Sequence, residues 1–250
     1  MLIKVDAKAL EWRAAAYLSQ DEVAIREIVE GVDAHENNQK MFGLPSRLIA
    51  KKYLFRLIYG GSAYSYSVDP DFDGVGDLKF WEEVIERTYK KYSGLAKWHT
   101  TILRETIRNK GLLTIPTGRT FKFKQYPNYK GEMEWPRTQI LNYPVQGFSA
   151  DLMMIARISA HNRISRMPEY PERIKFFNTV HDDIQLDVDN DPELCYNICI
   201  TLEQVFEDLP KNFEKVFKLP FNVPMAGEVS YGKNLLNLKK FDRNEEITCK

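Results

Sequence analysis

The stretch Arg47-Leu-Ile-Ala-Lys51-Lys-Tyr-Leu-Phe55-Arg-Leu-Ile-Tyr59-Gly60 decides how this chain reads. It holds no helix breaker before Gly60, and Pro45 just upstream suits the approach to a helix start. At 3.6 residues per turn, Arg47, Lys51, Phe55 and Tyr59 follow one another along a slowly drifting stripe about 120° wide. Ile49, Ala50, Tyr53, Leu54 and Leu57 fall on the other side as a packing face, while Leu48 and Ile58 intrude on the stripe. Two cations and then two aromatic rings along a rod suit a ligand with phosphates at one end and a flat sugar–base moiety at the other.

Bulk properties leave room for such a ligand without announcing it. A chain of 250 residues can bury a substantial core, and Lys+Arg 35 against Asp+Glu 35 gives no net charge. The charges are nevertheless segregated. Lys40, Arg47, Lys51, Lys52 and Arg56 form a basic region, and Asp182, Asp183, Asp187, Asp189 and Asp191 an acidic one. A protein that handles a polyanion through bound cations needs both signs in separate places. The odd cysteine set, Cys195, Cys199 and Cys249, with no leader sequence, points to a reducing compartment. Cys195 and Cys199 read as small buried apolar residues. No apolar run is long enough to cross a bilayer, so the expectation is a soluble cytoplasmic protein without a membrane partner.

Along the chain, Leu2-Ile-Lys-Val-Asp6 reads as a short strand ending on a carboxylate. Ser19-Gln-Asp-Glu22 has the form of a capping box opening a helix through Glu30, with Gly31 as its stop. Asp33-Ala-His35-Glu36 repeats the pattern before Gly43. Asp69-Pro-Asp71-Phe-Asp73-Gly74 looks like the front of a calcium loop, but its twelfth position is Phe80 rather than Glu, and a plain turn is expected. Lys79 to Asn109 is helix-prone with a break near Gly94. Gly111 to Phe123 alternates around Pro116-Thr-Gly118 as a hairpin. A helical region starts at Arg137 and runs toward Arg163. Phe176 to Val188 reads strand, tight turn, strand, with Asp182 and Asp183 at the turn. A helix through about Phe213, a strand near Met225–Tyr231 and an uninterpreted polar tail complete the chain.

Several of these segments together resemble family A DNA polymerases, the family of bacterial polymerase I and many phage replicases. The spacing R-x3-K-x3-F-x3-YG at Arg47–Gly60 resembles the fingers helix. Asp6-x4-Glu11-x-Arg13 resembles the first polymerase motif, with Ala7-Lys8 where Ser-Gln is usual. Asn142-x-Pro-x-Gln146-Gly147 resembles the segment that reads the minor groove, with Arg137 five rather than four residues before the Asn. Val180-His181-Asp182-Asp183 resembles the third motif, with Asp183 in place of the usual Glu.

The resemblance implies a division of labour. Asp6 and Asp182 would hold two magnesium ions, with Asp183 as the shorter catalytic neighbour. His35, Arg47 and Lys51 would hold the triphosphate, and Lys51 would also protonate the leaving pyrophosphate. Phe55 and Glu11 would select the sugar, and Tyr59 would complete the nucleotide pocket. Gly60, Arg137, Asn142, Gln146 and His181 would lie against the DNA. Amides such as Asn142 and Gln146 can donate to the minor-groove acceptors that every base pair presents. Arg56 stands where Gly is common.

The implied fold is α+β, the polymerase right hand: mostly helical fingers (14–136) inserted into an antiparallel-sheet palm (1–13 and 137–250). A thumb and a proofreading exonuclease are absent from the reading. The expected partners are primer-template DNA, dNTPs and an N-terminal polymerase polypeptide supplying the thumb and the remaining palm, as in a split or truncated enzyme. A single-subunit RNA polymerase shares much of this pattern but typically lacks the Glu11 gate and Phe55. A non-catalytic DNA-binding accessory would have little use for Asp6, Lys51 and Asp182.

Overall fold

Burial alternates along the first strand, β1 (Leu2–Ala7): Ile3, Val5 and Ala7 are buried, while Lys4 and Asp6 on the opposite face stay partly exposed. The computed structural model describes residues 1–247, so Cys249 lies outside the described residues. Two compact units emerge: Met1–Leu10 together with the chain from Ser149 onward, and Glu11–Phe148.

The second unit is mainly helical. It opens with α1 (Leu10–Ser19), α2 (Glu22–Val29), α3 (Ala34–Phe42) and α4 (Arg47–Ile58). Short polar side chains set three of the starts. Asp21 accepts from the Ala24 N–H, Asp33 from those of His35 and Glu36, and Ser46 from that of Ile49. The cap expected at Ser19 is therefore displaced by two residues, because Ser19 is still helical and its hydroxyl reaches back to the Ala16 carbonyl. In α4 the packing face is buried at Ala50, Tyr53, Leu54 and Leu57, and partly buried at Ile49. Ile58 joins it, whereas Leu48 is 59% exposed.

Helix α5 (Ala63–Val68) leads to a 3-10 turn at Pro70–Phe72. The acids of this turn are held by α4: Arg56 donates to Asp69 and Asp71, Lys52 donates to Asp71, and the Arg56 guanidinium lies 4.8 Å from the Phe72 ring. These carboxylates dock the turn on the helix, which accounts for Arg56. Phe42, Tyr53, Leu57, Tyr66, Phe72 and Trp81 form the core beneath, with Tyr53 stacked on Trp81 at 5.5 Å.

Helices α6 (Leu78–Lys91) and α7 (Ser93–Arg108) part at Tyr92, not at Gly94. Gly94 sits inside α7, where a Cβ would come within 2.6 Å of the Asp21 backbone. Asp21 supplies the cap that α7 lacks locally, accepting from the Leu95 N–H at 3.0 Å. Nearby, Glu27 and Lys91 form a buried ion pair at 2.8 Å. The Tyr92 hydroxyl and the Asn37 amide donate to Glu27, and Lys91 also donates to Asn38. Two hairpins follow, β2 (Leu112–Thr114) with β3 (Thr120–Lys122) and β4 (Tyr126–Pro127) with β5 (Met133–Glu134). Residues 137–148 of the long helix α8 (Arg137–Ile164), which carries Pro144 inside it, belong to this unit.

The other unit is built on a five-stranded sheet. After the rest of α8 come β6 (Ile174–Asn178), β7 (Asp183–Val188), α9 (Pro192–Glu207), α10 (Leu209–Phe217), β8 (Gly227–Gly232) and β9 (Lys239–Lys240). The sheet order is β6-β7-β1-β8-β9, and every neighbouring pair is antiparallel. The fold is thus α+β, helices with antiparallel sheets. Helix α9 lies on β1 and β8, and a Cβ at Gly227 would meet Phe206 and Val5 at 2.7 Å. Cys195 and Cys199 are buried on α9, and burial pushes the Cys199 thiol pKa up. The single helix expected through Phe213 is two, separated at Asp208, whose carboxylate takes Arg163 at 2.8 Å. Part of the tail left uninterpreted forms β9.

Removing one partner of the buried Glu27–Lys91 pair strands the other charge. Lys91→Met is expected to cost about 3 kcal/mol in urea-induced unfolding, and the double variant Glu27→Leu/Lys91→Met to recover most of that loss.

Candidate functional site

In the helical unit, α4 presents its stripe as a row of neighbourhoods. At the N-terminal end the Arg47 guanidinium pairs with Asp33, at 2.7 and 2.8 Å, and lowers the pKa of that carboxyl. One turn on, Lys51 is exposed, with its Nζ 5.9 Å from the centre of the Phe55 ring. The His35 ring of α3 lies 5.8 Å from Phe55 on centroids. His35 is buried, and burial first, then the charges of Arg47 and Lys51, depress its pKa to about 4 despite the opposing pull of Asp33. The ring is therefore neutral at pH 7.

At the C-terminal end of the stripe, Tyr59 caps α4, and its hydroxyl lies beside Glu11 and Gln146. Burial, and then the Glu11 carboxylate, push the phenol pKa well up, so Tyr59 stays protonated. Gly60 turns away at φ +82°, and a Cβ there would strike Leu141 at 2.7 Å. Asn142 and Gln146 share a face of α8, and the Asn142 Oδ1 is buried without a hydrogen-bond partner. At Gly147 a Cβ would meet the Phe121 ring at 2.6 Å, so this glycine admits the β2–β3 hairpin. Arg137 stands apart: five residues before Asn142, it lies about 140° round the helix, and its charge is felt instead at Tyr89 and His99. His99 is a satisfied core histidine, paired with the Ile58 carbonyl and the Tyr89 hydroxyl.

In the sheet unit, Asp6 at the end of β1 is the cross-strand partner of Asp183 at the start of β7. The Ala7 N–H donates to the Asp182 carbonyl at 2.9 Å and pins the tight turn against β1. In that turn His181 has φ +51°, and its carbonyl accepts from Arg157 at 3.0 Å. The Asp183 carboxylate is buried and accepts from the Val180 N–H at 2.7 Å and the Gln185 amide at 2.8 Å. Lys4 reaches both acids, 3.0 Å from Asp6 and 3.3 Å from Asp183. Burial raises the Asp6 pKa, Lys4 opposes that, and the negative charges of Asp183 and Asp182 add to the rise. Three acids crowded at one sheet end favour a cation there. Among the described residues no His, Cys, Asp or Glu set closes into a metal cage. That donor chemistry suits magnesium, which keeps water and substrate oxygens as ligands and asks few carboxylates of the protein.

A description of DNA polymerase family A matches residues 1–237. The chain belongs to DNA polymerase family A. It is 29% identical to a thermostable DNA polymerase I of Thermus filiformis over 96% of its own length and 27% of that protein. It is 28% identical to that of Thermus aquaticus over the same shares. A DNA polymerase I of Lactococcus lactis matches at 29% identity over 75% of the chain and 22% of the relative. The chain thus spans about a quarter of the length of these curated relatives. Among solved structures, its fold is similar to the POL domain of Pol1 from M. smegmatis in complex with DNA primer-template and dNTP. The TM-score is 0.65 at 19% identity, over 93% of this chain and 39% of that one. No helix among the described residues is long and apolar enough to cross a membrane.

In this family A chain, sequence reasoning passed over Lys4, Gln185 and Asp33, which hold the proposed site residues in place. The signal for Lys4 was present, since period two puts residues 4 and 6 on the same face of a strand. Lys8, without a role in the motif, lies 4.0 Å from Glu228 of β8.

The depressed His35 pKa makes stability depend on pH. Unfolded, the ring takes a proton near pH 6.5; folded, near 4. The unfolded chain binds more protons between these values, so this stabilisation is complete above pH 6.5 and is lost as pH falls toward 4. His35→Gln is expected to shrink the difference in unfolding free energy between pH 8 and pH 4 by about 3 kcal/mol. Denaturant titrations of both proteins at the two pH values provide the check.

Proposed function

We propose that this chain carries the nucleotidyl-transfer centre of a DNA polymerase, adding deoxynucleotides to a primer 3′-hydroxyl as directed by a template. Its ligands would be primer-template DNA and dNTPs. The observation that supports this reading most directly is that the acidic ends of two strands far apart in sequence meet, Asp6 facing Asp183 with Asp182 pinned beside them. In this reading Asp6 and Asp182 hold two magnesium ions. Magnesium bound there would supply positive charge to the attacking hydroxyl, to the α-phosphate and to the departing pyrophosphate.

The remaining roles fall to the α4 stripe. Arg47 grips the triphosphate by its planar fork, exchanging its half-exposed Asp33 partner for phosphate oxygens; an exposed ion pair contributes about 0–1 kcal/mol and gives way easily. Lys51 adds a point charge and donates a proton to the pyrophosphate oxygen. His35, neutral and held by packing, donates a hydrogen bond rather than a charge to the phosphates. Phe55 stacks against the sugar and Glu11 closes the space a 2′-hydroxyl would need, which selects deoxynucleotides. Asn142 and Gln146 sense the minor groove of the newly formed pair, with Gly60 and His181 against the DNA strands. An N-terminal polymerase segment, joined or separate, supplies the thumb and the remaining palm, and synthesis by the chain alone would be weak.

Primer extension with magnesium tests the reading. With the N-terminal segment supplied, Asp6→Ala and Asp182→Ala are each expected to lower extension about a thousandfold or more. Retention of full activity by either variant excludes the assignment. Phe55 should discriminate against dideoxynucleotides, and Phe55→Tyr should bring dideoxy and deoxy incorporation closer to parity in single-turnover assays. Equal incorporation by the unaltered protein counts against the role given to Phe55.

A further inference from the structure

We infer that Lys4 is a resident cation of the acidic sheet end, one that a divalent ion must contend with for the Asp6 carboxylate. The inference rests on the metal-binding reading of Asp6 and Asp182. Period two places Lys4 and Asp6 on the same face of β1, the central strand, so the ammonium cannot swing to the opposite side without breaking the strand register. It bridges two strands, with Nζ 3.0 Å from Asp6 and 3.3 Å from Asp183. Its own cross-strand partner, Gln185, donates to the same Asp183 oxygen that Lys4 approaches. The lysine is only partly exposed, and Asp183 is nearly sealed, with 6% of its side chain accessible. Lys4 therefore does what a metal ion would do here, relieving repulsion among Asp6, Asp182 and Asp183. A divalent ion arriving at Asp6 meets a positive charge already in contact with one of its ligands.

Repulsion between a divalent ion and an ammonium about 6 Å away, at a water-like dielectric, corresponds to about a tenfold change in affinity. The measurement is Mn2+ binding to the full chain without DNA, followed by electron paramagnetic resonance of the free ion. Lys4→Met is expected to bind Mn2+ about tenfold more tightly than the unaltered protein, and Lys4→Arg, which keeps the charge, within about twofold of it. Circular dichroism melts establish that each variant is folded, and Lys4→Gln serves in the same comparison should Lys4→Met fail to fold. A merely structural lysine predicts unchanged or weaker Mn2+ binding in the neutral variants, and that outcome overturns the inference while leaving the metal site standing. Absence of Mn2+ binding in every protein, including at tens of millimolar Mn2+, overturns the metal-site reading and this inference with it.

Discussion

Six residues at the start of the chain hold the sheet unit together. β1 pairs with β7 from Leu2↔Asp187 to Asp6↔Asp183 and with β8 from Leu2↔Gly232 to Ala7↔Gly227, so its two neighbours come from the far end of the sequence. Side chains alternate along a strand, and a slip of one residue would send Lys4 and Asp6 to the face that now carries Ile3, Val5 and Ala7. Burial of those apolar residues against α9, with Phe206 over Gly227 and Val5, therefore sets the register that aligns the acids. The alignment of the acids at the strand end depends on packing on the other face.

Zero net charge conceals local charge balance. Of the cations on α4, Lys52 and Arg56 hold the turn at Asp69–Asp71 in place, whereas Arg47 meets Asp33 near the protein surface. The same logic recurs at the sheet end, where Lys4 offsets Asp6 and Asp183. The Arg47–Asp33 pair, open to solvent on both sides, is weak and exchangeable. The Glu27–Lys91 pair is buried and surrounded by Tyr92, Asn37 and Asn38, so its role is to fix helix positions.

Several elements were legible because their causes are local. The α4 stripe follows from helical period alone, and its buried face includes Ala50, Tyr53, Leu54 and Leu57. Asp33 and Gly43 bracket α3 through capping chemistry confined to one helix. The β2–β3 hairpin follows from alternation around Gly118. Where expectation and structure diverged, a distant residue intervened. Asp21, at the start of α2, reaches across to accept from the Leu95 N–H, and Gly94 lies inside α7 against the Asp21 backbone. Arg56 has no explanation in its own helix and finds one in Asp69, Asp71 and Phe72.

The sequence by itself determined α3, α4, β1 and the β2–β3 hairpin, the order of the motifs and the residue types available for chemistry. Periodicity, caps and turn residues act over a few positions, and so can be read along the chain. Tertiary structure alone decided which acid faces which, that Lys4 stands between Asp6 and Asp183, and that His35 is neutral beside Phe55. Those outcomes depend on strand register, helix packing and desolvation among residues distant in sequence, and no local pattern encodes them.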